Sequence, residues 1–263
     1  MKVFSDFKEA KFYDHNHSYF VNGNRMKSVT TVIKEYSNPF DTKYWSTYKA
    51  MQACTIKVKP INKDKGLIWG DKEVKHWSKW REIPLVQQKA LELEEKWEDK
   101  GKHAREYGDS LHKYMENAVW GKYPEEPIAF LDEIVIDILD NYDPIRTEMI
   151  VYSEKYNIAG QIDLLARNKQ GKLCILDYKT DEEISRSNMY DRFKFPVDHL
   201  EESDLNKYKL QLNTYRHLLE LKGVTVEEMK IIRLREESEW IDIKRISVKE
   251  LINDYHTKGV VYV

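Results

Sequence analysis

The twenty residues GQIDLLARNKQGKLCILDYK, positions 160–179, constrain this chain more tightly than any other stretch. Four apolar residues, Leu173 to Leu176, follow Lys172 and run into Asp177, Tyr178 and Lys179, the pattern of a buried strand. Upstream, Lys169-Gln170-Gly171 is a three-residue loop ending in glycine, a standard hairpin connection. Pairing Asn168 with Lys172 across that loop sets Asp163 directly opposite Asp177, since both pairs are symmetric about residue 170. Opposed residues share a face with Cβ atoms roughly 4.5–5.5 Å apart, and like charges there repel unless something positive lies between them. A divalent cation held by carboxylate oxygens is the simplest compensation. Alternation along the strand places Lys179 on the same face as Asp177. A surface ion pair, which contributes only ~0–1 kcal/mol, is the bland alternative for the acid and base alone. A register slip of one residue would undo the whole arrangement.

The rest of the chain supplies helices first and a mixed sheet afterwards. Residues 11–27 read as a short hairpin turning at VNGN. SVTTVIKEYS and DTKYWSTYKAMQA then read as two short helices separated by Asn38-Pro39, with Ser28 as a cap of the first. Residues 56–83 are rich in Lys and Trp. That mixture suits either a core contribution or a strand-gripping surface of charge and stacking. Helical composition dominates from Leu85 to about Val119, with interruptions expected at Gly101 and Gly108, and a further amphipathic helix ends before Pro144. Strands are expected at 146–158, 160–167 and 172–179, then a helix from about Asp204 to Lys222 stopped by Gly223. Strands at 227–235 and 239–246 and a terminal helix complete the pattern. The expected division is residues 1–100, a hairpin and helical region acting as a DNA-gripping lobe, and residues 101–263, an α/β core.

Composition narrows the chemistry. With 41% hydrophobic and 33% charged residues, the chain has material for a sizeable core. No run approaches the ~18 apolar residues of a membrane helix, and the first residues are too polar for a secretory signal. The 43 Lys and Arg against 45 Asp and Glu lack the basic excess of a passive nucleic-acid coat, though a local basic groove remains open. No phosphate loop or dinucleotide fingerprint occurs, so no nucleotide cofactor is expected. The two cysteines, Cys54 and Cys174, exclude a four-cysteine zinc or iron–sulfur site within one chain and suit a reducing compartment.

Three further patterns accompany the hairpin. Gly108, His112 and Glu116 fall in YGDSLHKYME, with His112 and Glu116 on one helical face. Gly160 stands three residues before Asp163, and Gln211 and Tyr215 are four apart on a later helix. Taken singly, His112–Glu116 could be surface decoration and Gln211–Tyr215 a packing face. Together the four patterns, in this order, resemble the RecB-like branch of the PD-(D/E)XK nucleases, whose motifs are G-x-x-x-H-x-x-x-E, G-x-x-D, D-Y-K and Q-x-x-x-Y. The stretch SVTTVIKEYS…YWSTYKA is also similar to stand-alone members, including phage-type exonucleases and the mitochondrial genome-maintenance exonuclease.

That resemblance implies a restriction-endonuclease-like α/β (α+β) core, with a mixed central sheet flanked by helices and a helical N-terminal region. It implies a metal-dependent deoxyribonuclease, an exonuclease in DNA recombination, repair or processing. An endonuclease, or a non-catalytic DNA-binding or assembly protein on the same fold, is the alternative. His112, Asp163, Asp177 and the Tyr178 backbone carbonyl are the implied ligands of Mg²⁺ or Mn²⁺. Lys179, Gln211 and Tyr215 complete the implied catalytic set with Asp163 and Asp177. Glu116 is an additional ligand or a partner of His112, while Glu148 and Glu154, both even-numbered on the strand before Asp163, are further candidates. With two cysteines the chain resembles the members without an iron–sulfur cluster. It carries no helicase motor, so a motor, recombinase or single-strand-binding protein would be a separate partner. DNA ends are the expected substrate, the cytoplasm of a bacterial or phage-infected cell the expected location, and no membrane is implied.

Overall fold

The computed structural model describes residues 10–13, 18–54, 58–62, 66–69, 72–74 and 77–259. Strand β1 (Ala10–Tyr13) pairs antiparallel with β2 (Ser18–Val21), which turns into β3 (Asn24–Ser28). Asn22 and Gly23 make that turn with φ of 51° and 79°. Both positive angles are what a two-residue hairpin loop needs. Ser28 then caps α1 (Val29–Glu35), accepting the Thr31 N–H at 3.0 Å. The chain thus passes from strand to helix through one hydroxyl, and Val29, Val32 and Ile33 turn inward.

Helix α2 (Thr42–Ala53), strands β4 (Val58–Asn62), β5 (Gly66–Trp69) and β6 (Lys72–Val74), and a 3-10 turn at Trp77–Glu82 follow. Backbone contacts separate the chain into two units, Pro39–Tyr107 and Met1–Asn38 with Gly108–Val263. The division therefore differs from the expected one at residue 100. The first 38 residues belong with the core, because β3 pairs parallel with a core strand at Lys27 and Ser28. Within the Pro39–Tyr107 unit, β4–β5–β6 form an antiparallel sheet, and Tyr44, Ala50, Met51, Trp80, Val86 and Ala90 share an apolar cluster. Trp80 thus follows the core reading of the Lys- and Trp-rich stretch; the side chains of 55–77 lie outside the described residues.

Helix α3 (Pro84–Ala118) is continuous, without the expected interruptions at Gly101 and Gly108. An interior glycine costs a helix only ~1 kcal/mol, which strong helix formers on either side outweigh. From Gly108 on, Leu111, Tyr114, Met115 and Ala118 form one buried stripe at helical spacing. Helix α4 (Ala129–Asn141) buries Leu131, Ile134, Val135 and Ile138 in the same cluster. Strand β7 (Tyr142–Ser153) starts earlier than expected and includes Pro144, next to a register shift at Pro144/Arg146. Among the described residues its one strand partner is β8, and an edge strand with a bulge tolerates proline. Strands β8 (Ile158–Asn168) and β9 (Leu173–Lys179) form the hairpin whose loop ends at Gly171, φ 75°.

Helix α5 (Asp204–Glu220) is capped by Ser203, and Gly223 follows it with φ 78°. Strand β10 (Glu228–Arg233) runs parallel to β9, β11 (Glu239–Asp242) pairs antiparallel with β10, and α6 (Lys249–Gly259) closes the fold. The result is an eight-stranded mixed sheet, ordered β1-β2-β3-β8-β9-β10-β11 with β7 also on β8. One apolar cluster joins it to residues of α1, α5 and α6; the other joins it to α3 and α4. Among the described residues no helix is long and apolar enough to cross a membrane.

Candidate active site

A fork in the sheet creates the site. Strand β8 is bonded to β7 along its whole length, from Ile158 to Asn168. Its other edge is shared, with β3 at Ile158–Ala159 and β9 at Leu164–Arg167. Residues 160–163 lie between, where that edge has no strand partner among the described residues. Asp163 ends this gap. The pair Leu164–Leu176, continued by one residue, sets it across from Asp177, the register read from the loop. With the ladder finished there, the backbone donor of Tyr178 turns to a side chain and donates to Asp163 Oδ2 at 2.6 Å.

Three ligand-type side chains meet at Asp163. His112, on the stripe-bearing end of α3, places Nδ1 3.6 Å from Asp163 Oδ2, and its ring meets the Tyr178 ring edge-on at 5.8 Å. Glu148 occupies the β7 position bracketed by the Thr147–Leu164 and Met149–Ile162 pairs, so it faces Asp163 from the opposite side. Carboxylates from three neighbouring strands, Glu148, Asp163 and Asp177, thereby stand in a row across the sheet. Glu148 has φ 48°, the left-handed region that a non-glycine residue in a strand rarely enters. Ligand atoms of His112, Glu148 and Asp163 lie within 4.8 Å of one another. A set of one imidazole and two carboxylates gathered this closely suits a divalent cation.

Charge is compensated differently on the neighbouring strand. Asp177 is 1% exposed and forms a close ion pair with Lys179, while Gln211 Nε2 donates to its Oδ1 at 3.4 Å. Burial pushes the Asp177 carboxyl up to about 6, against the pull of the Lys179 ammonium. Burial also works to lower the Lys179 pKa, but Asp177 and Asp163 outweigh it and the value rises. Lys179 Nζ lies 4.8 Å over the Tyr208 ring, and Tyr208 OH donates to Asp181 at 2.7 Å. The Glu148 carboxyl is pushed up to about 8, by burial first and then by the charges of Asp163 and Glu116. Gln161 Nε2 donates to Glu148 Oε2 at 2.6 Å.

Eight of the residues singled out in the sequence converge: His112, Glu148, Asp163, Asp177, Tyr178, Lys179, Gln211 and Tyr215. Asp177 is nevertheless outside the three-ligand group, and Glu148 stands in it. Of the two even-numbered glutamates, Glu154 is exposed beyond the end of β7, where Asn22 Nδ2 donates to it at 3.4 Å. Parity along a strand says nothing about a residue past its end. Glu116 pairs with Lys113 on its own helix at 2.6 Å and reaches the site through its field on Glu148.

Sequence reasoning missed Gln161 and Tyr208. Their positions, two residues before Asp163 on a strand and three before Gln211 on a helix, were the available signals. It also missed why the two motif glycines are glycines. A Cβ on Gly160 would lie 2.3 Å from Tyr215 Cε1, and one on Gly108 would lie 3.2 Å from Thr180 Oγ1. Tyr215 therefore packs on bare backbone, where it accepts a 2.8 Å hydrogen bond from Gln211 Nε2.

A mixed sheet that gathers acids and a lysine at a fork between strands, with a histidine delivered by a flanking helix, defines a metal-dependent hydrolase of the nuclease class. The family model of the PD-(D/E)XK nuclease superfamily matches residues 74–250, and the chain belongs to that superfamily. No curated protein matches the chain. A solved structure titled "Crystal structure of SSO0001" is similar at 14% identity, covering 83% of this chain and 86% of that one, with a TM-score of 0.28.

Proposed function

We propose that this protein is a deoxyribonuclease of the RecB-like branch that hydrolyses phosphodiester bonds from DNA ends, with Mg²⁺ or Mn²⁺ as its cation. The observation that carries the reading is the convergence of His112, Glu148 and Asp163 beside the buried Asp177–Lys179 pair. His112, Glu148 and Asp163 would hold the cation. The Tyr178 carbonyl, which faces the same strand edge as its N–H in extended backbone, and Asp177 are the remaining candidates. When bound, such a cation supplies Lewis acidity toward a phosphoryl oxygen and makes water acidic enough to act as a nucleophile at neutral pH.

The chain's own groups do the rest. Lys179, kept charged by Asp177 and Asp163, donates to the attacking water or to the negative charge that builds on the phosphoryl oxygens. Gln211, anchored by the Tyr215 hydroxyl, offers an amide donor on the same side as Asp177. Tyr215 is a positioning residue. Placement in recombination, repair or processing, in a phage-type setting and in the cytoplasm, follows from the motif resemblance. So does work beside a separate helicase, recombinase or single-strand-binding protein. A DNA-gripping lobe within residues 1–100 is the reading that the Lys- and Trp-rich stretch supports.

The test is cleavage of linear duplex, single-stranded and covalently closed circular DNA, labelled at each end, in Mg²⁺ or Mn²⁺. Linear molecules should be degraded from an end while circles stay intact, and EDTA should stop the reaction. Cut circles would make the protein an endonuclease. Full activity of Asp177→Ala would sink the site assignment.

A further inference from the structure

Helix α5 turns one stripe toward the sheet, Tyr208, Gln211 and Tyr215, at helical spacing. Tyr215 lies on Gly160 and Gln211 reaches Asp177, so the stripe runs from β8 to the end of β9, where Tyr208 meets Lys179. Among the described residues two groups meet the Lys179 ammonium: the Asp177 carboxylate and, 4.8 Å from Nζ, the face of the Tyr208 ring. A lysine over a ring is ordinarily an incidental surface contact, as it is at the exposed Lys155, Lys222 and Lys258. The Lys179 side chain is only 15% exposed, and desolvation strengthens the attraction of a cation for a ring. Tyr208 is also held at its far end, where its hydroxyl donates to Asp181 at 2.7 Å. That bond fixes the ring and occupies the acid two residues along the chain from Lys179. The two partners act differently on the ammonium. Asp177 takes one of its three N–H donors and is also a candidate ligand of the cation, so two positive groups compete for it. The ring holds charge through its face, spends no donor on an oxygen and adds no negative charge to repel a phosphodiester.

We propose that Tyr208 is a positioning residue for Lys179. Its ring, anchored through Asp181, holds the ammonium at the end of β9 with N–H donors free for the attacking water or the phosphoryl oxygens. The work that Lys179 does there rests on the nuclease reading; its seat on Tyr208 does not.

The experiment joins NMR of the metal-free protein with cleavage kinetics. In protein carrying ¹³C-labelled lysine, the ε-methylene signal of Lys179, assigned by its loss in Lys179→Met, should be moved upfield by the ring current of Tyr208. Tyr208→Leu should abolish that shift and lower kcat on linear DNA about tenfold, with KM nearly unchanged. Tyr208→Phe, which keeps the ring, should keep the shift and most of kcat. A merely structural role would lower stability without this split between kcat and KM. An unshifted Lys179 signal in wild type, or full kcat in Tyr208→Leu, would overturn the proposal. So would a Phe variant as slow as the Leu variant, since the hydroxyl and not the ring would then matter. A ring-dependent shift in a wild type that cleaves no DNA in any divalent cation would support the seat and refute the nuclease reading. Should Tyr208→Leu unfold, Tyr208→Met carries the same readouts.

Discussion

Lys179 and Asp177 stabilise each other inside the protein, and each is costly alone. Removing one member of a buried ion pair costs about 3–5 kcal/mol, because the other charge is left without compensation. Lys179→Met should therefore lower the melting temperature as well as abolish cleavage. Adding Asp177→Asn to it should recover much of the stability and none of the cleavage, as thermal denaturation and a nuclease assay would show together. Glu148 gives a pH signature. Its carboxyl titrates at about 8 in the fold, above the ordinary 4.5, so the folded state keeps a proton that the unfolded state loses. The stability from that proton is complete below the unfolded pKa and is lost as pH rises through the folded one. The metal-free protein should lose melting temperature between roughly pH 5 and pH 9. Glu148→Gln should flatten that decline, and a divalent cation at the alkaline end should reverse it.

The glycines of single elements separate propensity from packing. Gly101 lies in mid-helix, where a Cβ would meet only the flexible end of Arg105 at 3.5 Å. Gly101→Ala should stabilise the protein by about 0.5–1 kcal/mol in urea denaturation. Gly108→Ala, with Thr180 Oγ1 at 3.2 Å, should gain less or nothing although the helix is the same. On β8, Gly160→Ala drives a methyl group into the Tyr215 ring, and overpacking of this kind costs about 1–3 kcal/mol. It should also slow cleavage, since Tyr215 holds Gln211. Gly108 and Gly160 were legible as motif members, and Gly101 and Gly108 as helix interruptions. The neighbours that decide the effects at Gly108 and Gly160, Thr180 and Tyr215, lie on other segments.

At the scale of the whole molecule, a cation that binds only the folded state adds stability by mass action, about 2.7 kcal/mol at a hundred times its dissociation constant. Mg²⁺ or Mn²⁺ should raise the melting temperature of wild type in calorimetry, and His112→Ala with Glu148→Gln should remove most of that rise. The grouping of β1–β3 and α1 with the Gly108–Val263 segment depends on a pairing with β8 more than a hundred residues away, beyond the reach of local sequence patterns.

The sequence by itself determined the β8–β9 register, the shared placement of Asp177 and Lys179, and the Ser28 cap. These follow from a two-residue strand period, a three-residue loop and one hydroxyl, all acting between close neighbours. Only the tertiary structure decided that Glu148 joins the ligand group while Glu154 and Asp177 stand outside it, and that β3 and β9 divide one edge of β8. Backbone geometry fixes what lies within a few residues. Which distant strand takes a hydrogen-bonding edge, and where that edge is left open, is selected by burial of the whole sheet between its two layers of helices.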